Sequence, residues 1–222
     1  MSKVNKKGLK KKNITKLIIC VVIVAAIVAG YFIYTKYFKD SNKVEAPKVV
    51  DEIKTNKFNY VVSENDTKLF KTTFDELKKI LTTNPVDNKK YAETISKLFV
   101  IDFYTLSNKT SKNDIGGIQF VYSTYKTDFV DYARDGMYKQ VKNAIDGDSN
   151  SKLPTVKSVN VSNIEEVSPS GVFSGLEFPE NATGYQVTLD WTYENSDDFQ
   201  TKAVITIVTD GDKLSVAKLE NN

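Results

Sequence analysis

The side chains that could do chemistry in this chain are few, and the absences decide most of what can be said of them. The 222 residues include no histidine. That excludes a Ser-His-Asp triad, a Cys-His nucleophile pair and any histidine-held metal. The single cysteine, Cys20, lies inside an apolar run. Everything beyond it therefore lacks a thiol nucleophile, a disulfide and a cysteine-based zinc site. Carboxylates cluster in three places. Asp146-Gly147-Asp148-Ser149-Asn150 starts like a calcium loop. The glycine that such a loop requires is replaced by Ser151, however, and its closing glutamate by Lys157. A helix C-terminal turn is the alternative reading. Asp197-Asp198 and Asp210-Gly211-Asp212 are turn carboxylates. Acid–base work would need a pocket that separates their pKa values, and a polar turn supplies no such pocket. Gly116-Gly117 has neither the spacing nor the strand–helix setting of a phosphate loop. Arg134 stands among Asp128, Asp131 and Asp135. It reads as a surface ion pair to Asp131 or Asp135, and the acidic neighbours argue against an anion site. No catalytic residue, cofactor or metal is assigned, and the chain is expected not to be an enzyme.

The elements that would carry these residues change texture along the chain. Phe70, Thr73, Phe74, Leu77, Ile80 and Leu81 recur at spacings of three and four, one face of a helix from about Asp66, stopped by Asn84-Pro85. A second helix is predicted from a cap at Asp87 or Asn88 through Tyr91, Ile95, Leu98, Phe99, Ile101, Phe103 and Leu106. Ile118–Tyr125 reads as a strand or a short helix. A third helix, capped by Thr127 or Asp128, carries Phe129, Tyr132, Ala133, Met137, Val141 and Ile145 and ends at Asp146-Gly147. Strands follow. Val156, Val159 and Val161 begin one; Tyr185, Val187, Leu189 and Trp191 alternate with polar residues in the next. Thr201–Val208 is a third, and Asp210-Gly211 turns the chain into Leu214, Val216 and Leu219. The loop Ser168–Gly184 holds an apolar insert, of which Phe173 and Phe178 are the candidate partner patch, with core packing as the alternative. Phe58, Tyr60 and Val62 allow a short strand or a helical start. Segregated helices and strands predict an α+β fold, about three helices packed on a curved antiparallel sheet of about four strands.

The N-terminus sets the address. Eighteen residues without a charge, Leu17 to Tyr34, follow a sixteen-residue head with seven lysines and no acid. A helix of that length spans about 27 Å, most of a bilayer's hydrocarbon core. A cleaved signal peptide, a lipid anchor at Cys20 and a buried core helix are the competing readings. The aromatics Tyr31, Phe32, Tyr34, Tyr37 and Phe38 suit an interfacial belt better than a cleavage site. Leu17-Ile18-Ile19 lacks the small residue expected before a lipidated cysteine. The predicted organisation is a basic cytoplasmic tail over residues 1–16, a transmembrane helix over 17–36, a connector over 37–57 and an extracytoplasmic domain over 58–222. The net charge of +3 is the head's +7 against −4 for the remainder. The basicity belongs to the tail, where topology and anionic lipid headgroups account for it, and nucleic acid is not expected as a partner.

This order of elements resembles the bitopic assembly component of type IV secretion and conjugation machines. Its outer domain has a nuclear-transport-factor-2-like fold. The likeness rests on Tyr91–Leu106, Thr127–Ile145, the strand Tyr185–Tyr193 and the closing Lys213–Leu219, and runs from Met1 to about Glu220. The resemblance implies a non-catalytic scaffold in a bacterial membrane complex, with the lipid bilayer, other subunits and a second copy of itself as partners. A membrane-anchored module that binds a small ligand or an envelope component is the alternative. A concave apolar pocket would favour that alternative, and a filled core the scaffold.

Overall fold

The computed structural model describes residues 48–54, 58–141, 152–173, 182–195 and 199–221. They belong to a compact unit that runs from Pro47 to Asn222. The apolar run Leu17–Tyr34, the lysine head, Cys20, the loop 146–150, Asp197-Asp198 and Phe178 lie outside the described residues. No helix among the described residues is long and apolar enough to cross a membrane.

The fold is α+β, as expected, with three helices of ten residues or more and a four-stranded antiparallel sheet among the described residues. A two-stranded antiparallel pair, β1 (Val49–Lys54) and β2 (Asn59–Ser63), precedes α1 (Lys68–Leu81) and α2 (Asn88–Tyr104). Two 3-10 turns, Ile118–Phe120 and Ser123–Tyr125, lead into α3 (Lys126–Asp135). The sheet is a meander of β3 (Val156–Val167), β4 (Gly184–Tyr193), β5 (Lys202–Asp210) and β6 (Lys213–Asn221), in that spatial order. A one-turn helix, α4 (Pro169–Val172), follows β3 inside the segment read as loop.

α1 buries Phe70, Thr73, Phe74 and Leu77, the predicted face, and Thr67 caps it by accepting the Phe70 N–H at 3.2 Å. Asp87 caps α2 in the same way, on the Lys90 N–H at 3.1 Å. That bond holds the Asp87 carboxyl below its ordinary pKa. α2 is buried nearly all round because it is sandwiched between α1 and all four strands of the sheet. Its Leu98 and Phe99 and the sheet residues Val187, Leu189, Trp191, Ile205 and Ile207 share one core with Phe70 and Phe74. β4 buries alternate residues, Tyr185, Val187, Leu189 and Trp191, because its other face is turned from the helices.

Three expectations need correcting. The third helix is not continuous: its first stretch stops at Asp135, Gly136 takes φ −99° and ψ −110°, outside the helical region, helical backbone resumes over 139–141, and the expected end at Asp146 lies outside the described residues. It also begins at Lys126, and neither Thr127 nor Asp128 caps it; the preceding 3-10 turn supplies the entry. Ile118–Tyr125 is neither one strand nor one helix; two 3-10 turns flank a single parallel bridge from Val121 to Val216. Residues 49–54, expected as connector, form β1. Its Val49 and Val50 are 47% and 54% exposed, so these valines do not mark a core-facing strand in the sequence.

Candidate functional site

Most polar groups that could do chemistry are occupied in holding elements together. Tyr60 on β2 and Tyr91 on α2 place their hydroxyls 2.6 Å apart. Tyr60 donates to the Leu214 carbonyl at 3.3 Å, and the Leu214 N–H reaches the Tyr91 oxygen at 3.4 Å. Each phenol has one proton, so Tyr91 must donate to Tyr60, and the three groups close a ring across β2, α2 and β6. Burial pushes the Tyr91 phenol up to about 12 and Tyr60 well above its ordinary value. Tyr138 accepts the Gly116 N–H at 2.8 Å and donates to the Phe103 carbonyl at 2.9 Å. Burial raises it as well. Such phenols stay neutral at physiological pH and act as structural hydrogen bonders.

The Gly116-Gly117 pair packs against α2. A Cβ on Gly116 would meet the Asp102 carbonyl oxygen at 2.2 Å, and Gly117 has φ +78°. Asp102 takes the Gly117 N–H on Oδ2 at 2.7 Å and the Lys109 ammonium on Oδ1 at 2.7 Å. The Asp102 and Lys109 side chains are 13% and 6% exposed. Around this pair lies a polar hollow of about 160 Å³ that also touches Asp66, Asn108, Asp114 and Gln119. Its carboxylates have internal tasks. Asp66 accepts the Ser63 N–H at 2.7 Å, and Asp114 accepts the Thr110 N–H and hydroxyl. Burial raises the Asp66 carboxyl above its usual range. Gln119 bonds both the N–H and the C=O of Val61 through its side-chain amide. Among the described residues no group of three or more His, Cys, Asp or Glu side chains is placed to hold a metal ion.

The turn carboxylate Asp210 is likewise a fastener: it accepts from the Ser123 N–H at 3.1 Å, the Ser123 hydroxyl at 2.9 Å and the Ser215 hydroxyl at 3.1 Å. The hairpin turn beside it uses Gly211 at φ +64°. Arg134 pairs with Asp131 at 2.7 Å and with Asp135 at 3.5 Å, the ion-pair reading.

What remains is a cleft of about 480 Å³ between α3, the end of α2 and the edge of β6. Phe99 and Phe103 form its floor from α2. Tyr125, Asp128, Phe129 and Tyr132 form one wall, Val216 to Leu219 the other, and Phe173 closes one side. The rings of Phe103 and Phe129 lie 5.1 Å apart at 47°, and those of Phe99 and Phe129 5.8 Å apart at 52°. Tyr132 stands 81% exposed on the rim. Lys218 is neutralised by Glu220 at 2.9 Å. Asp128 is exposed and forms no ion pair with a cation among the described residues.

Of the predicted partner patch, Phe173 lies in this cleft, and Phe178 is outside the described residues. Phe99, Phe103 and Phe129 are placed on helices by their spacing, and nothing in that spacing marks the cleft. The spacing that marks a buried helix face is the same spacing that lines a groove, and only the position of β6 distinguishes them. No family model, no curated protein and no solved structure matches this chain.

Proposed function

We propose that this chain is a single-pass membrane protein whose outer domain binds other proteins and carries out no chemistry, as an assembly component of a bacterial conjugation or secretion complex. The observation that carries the reading is the filled core that the helices and the sheet share, with most buried polar side chains spent on holding it together. On its surface the aromatic cleft between α3 and β6 is an open apolar concavity against which another protein can dock. Exposed aromatic surface of this kind is costly to leave in water and marks interaction sites. Membrane attachment and the secretion setting rest on the lysine-flanked run Leu17–Tyr34 and on the order of elements. The test is to replace the native copy by Tyr132→Glu and measure transfer or secretion together with protein level. The reading expects normal protein and lost transfer; unchanged transfer refutes it.

A small ligand in the same cleft is the second reading, favoured by its volume, which falls in the range of small-molecule sites, about 300–1,000 Å³. Native mass spectrometry of the purified full-length protein separates the two, since a retained small molecule would add a discrete mass.

A further inference from the structure

β6 is an edge strand, and its outer side is used only in part. The Val216 carbonyl points away from β5 and accepts the Tyr122 N–H at 2.7 Å. Val121 and Val216 thereby form a parallel bridge. The sheet thus already accepts one extended segment at this edge. Beyond Val216 the pairing slips: Ile207 opposes Val216 and Thr206 opposes Lys218, so Ala217 is a bulge. The slip shifts the alternation by one residue. Leu219 is then the next residue whose N–H and C=O face away from β5, and no backbone group among the described residues meets them. This open length of edge, Ala217 to Leu219, is one wall of the aromatic cleft.

We infer that the cleft binds an extended segment of a partner protein by strand addition to β6, in line with the Val121 bridge, with alternate apolar side chains of that segment entering between Phe129 and Leu219. Backbone pairing along the edge supplies affinity and the aromatic pocket supplies selectivity, a recurrent mode of peptide recognition. Charge selects further. Lys218 is already paired with Glu220, whereas no cation among the described residues pairs with the Asp128 carboxylate at the opposite wall. The complementary segment therefore carries lysine or arginine beside its apolar residues. This inference rests on the binding reading above and adds the chemistry of the partner.

The probe is a synthetic heptapeptide, Thr-Phe-Lys-Val-Thr-Phe-Lys, titrated against the full chain in lipid nanodiscs by fluorescence anisotropy. Two further peptides carry N-methyl groups on alternate amides, in opposite phase. In an added strand one set of amides faces β6 and the other faces water. One phase should weaken binding about fivefold or more, from the loss of the hydrogen bond to the outward Leu219 carbonyl and the bulk of the methyl group against β6, and the other should not. Changing both lysines to glutamate should weaken binding a few-fold, and Asp128→Asn should erase that difference. Leu219→Pro removes the outward N–H without touching a bond to β5 and should match the damaging N-methyl phase. If this variant misfolds, the N-methyl series on the unaltered protein still decides. Equal binding of the two N-methyl phases, or no binding of any peptide up to about 1 mM, overturns strand addition. Loss of transfer in Tyr132→Glu together with either of those results would leave the binding reading standing and remove only this one.

Discussion

Removing the Asp102 carboxylate should be among the most damaging single changes in the domain. In Asp102→Ala the Lys109 ammonium, 6% exposed, loses its 2.7 Å partner, and the Gly117 N–H loses its acceptor. Stranding one member of a buried pair costs about 3–5 kcal/mol. For a domain of this size that lowers the melting temperature by roughly 6–20 °C, at about 2–4 °C per kcal/mol. The second variant carries the argument. Asp102→Ala with Lys109→Met removes the stranded charge and leaves only the Gly117 N–H unsatisfied, about 1–3 kcal/mol. The double variant should therefore be more stable than the single one. The chain has one tryptophan, Trp191, buried with its ring 4.7 Å from that of Tyr104. Its emission reports unfolding in urea titrations of the full-length protein. A single variant that loses less than about 1 kcal/mol, or a double variant no better than the single, would refute a buried ion pair at this site.

Two glycines should respond in opposite degree. Gly116→Ala forces a Cβ to 2.2 Å from a main-chain oxygen of α2 and should prevent stable folding, whereas Gly211→Ala, at φ +64° with nothing within 4 Å, should cost about 1 kcal/mol in a urea titration. The tyrosine ring predicts alkaline instability. The folded Tyr91 phenol is raised from its ordinary value of 10.0 to about 12, so between those values the unfolded chain has lost a proton that the native protein keeps. Stability is then full below about pH 10 and falls as the pH rises toward 12, and Tyr91→Phe should flatten that fall in urea midpoints taken across the range. Tyr91→Phe should also cost about 1–3 kcal/mol at neutral pH, because it leaves a buried Leu214 N–H unpaired.

Elements with one clear periodicity and a local stop were legible from residues alone. Phe70, Phe74 and Leu77 define α1, Asp87 is one of the two caps expected for α2, and the alternation of Tyr185, Val187, Leu189 and Trp191 defines β4, whereas the Thr67 cap was not foreseen. The break after Asp135 was hidden because Ala133, Met137 and Val141 keep a helical spacing through it; the period of apolar residues is blind to a local kink at Gly136. β1 was hidden because its valines face water. The cleft was hidden for a further reason. It is made where Phe129 of α3 comes beside Leu219 of β6, ninety residues later in the chain, and that pairing depends on the sheet order rather than on any local pattern. Phe173 stands out in the sequence as a large aromatic in a loop with no strand or helix face to pack it, and the fold sets it at the cleft. Asp128 stood out in the sequence as a neighbour of Arg134 and a candidate helix cap, and its place at the cleft wall follows from the tertiary fold.

The claim that this domain works by binding through the cleft is tested most directly in living cells. A photoreactive benzoylphenylalanine is placed at Tyr132 on the cleft rim, and in a second strain at Lys157 on β3, the opposite edge of the sheet. Crosslinked adducts are then identified by mass spectrometry. The account predicts an adduct from position 132 that maps to an extended, apolar and basic segment of another complex subunit, and none from position 157. No adduct from position 132, or the same adducts from both positions, would contradict it.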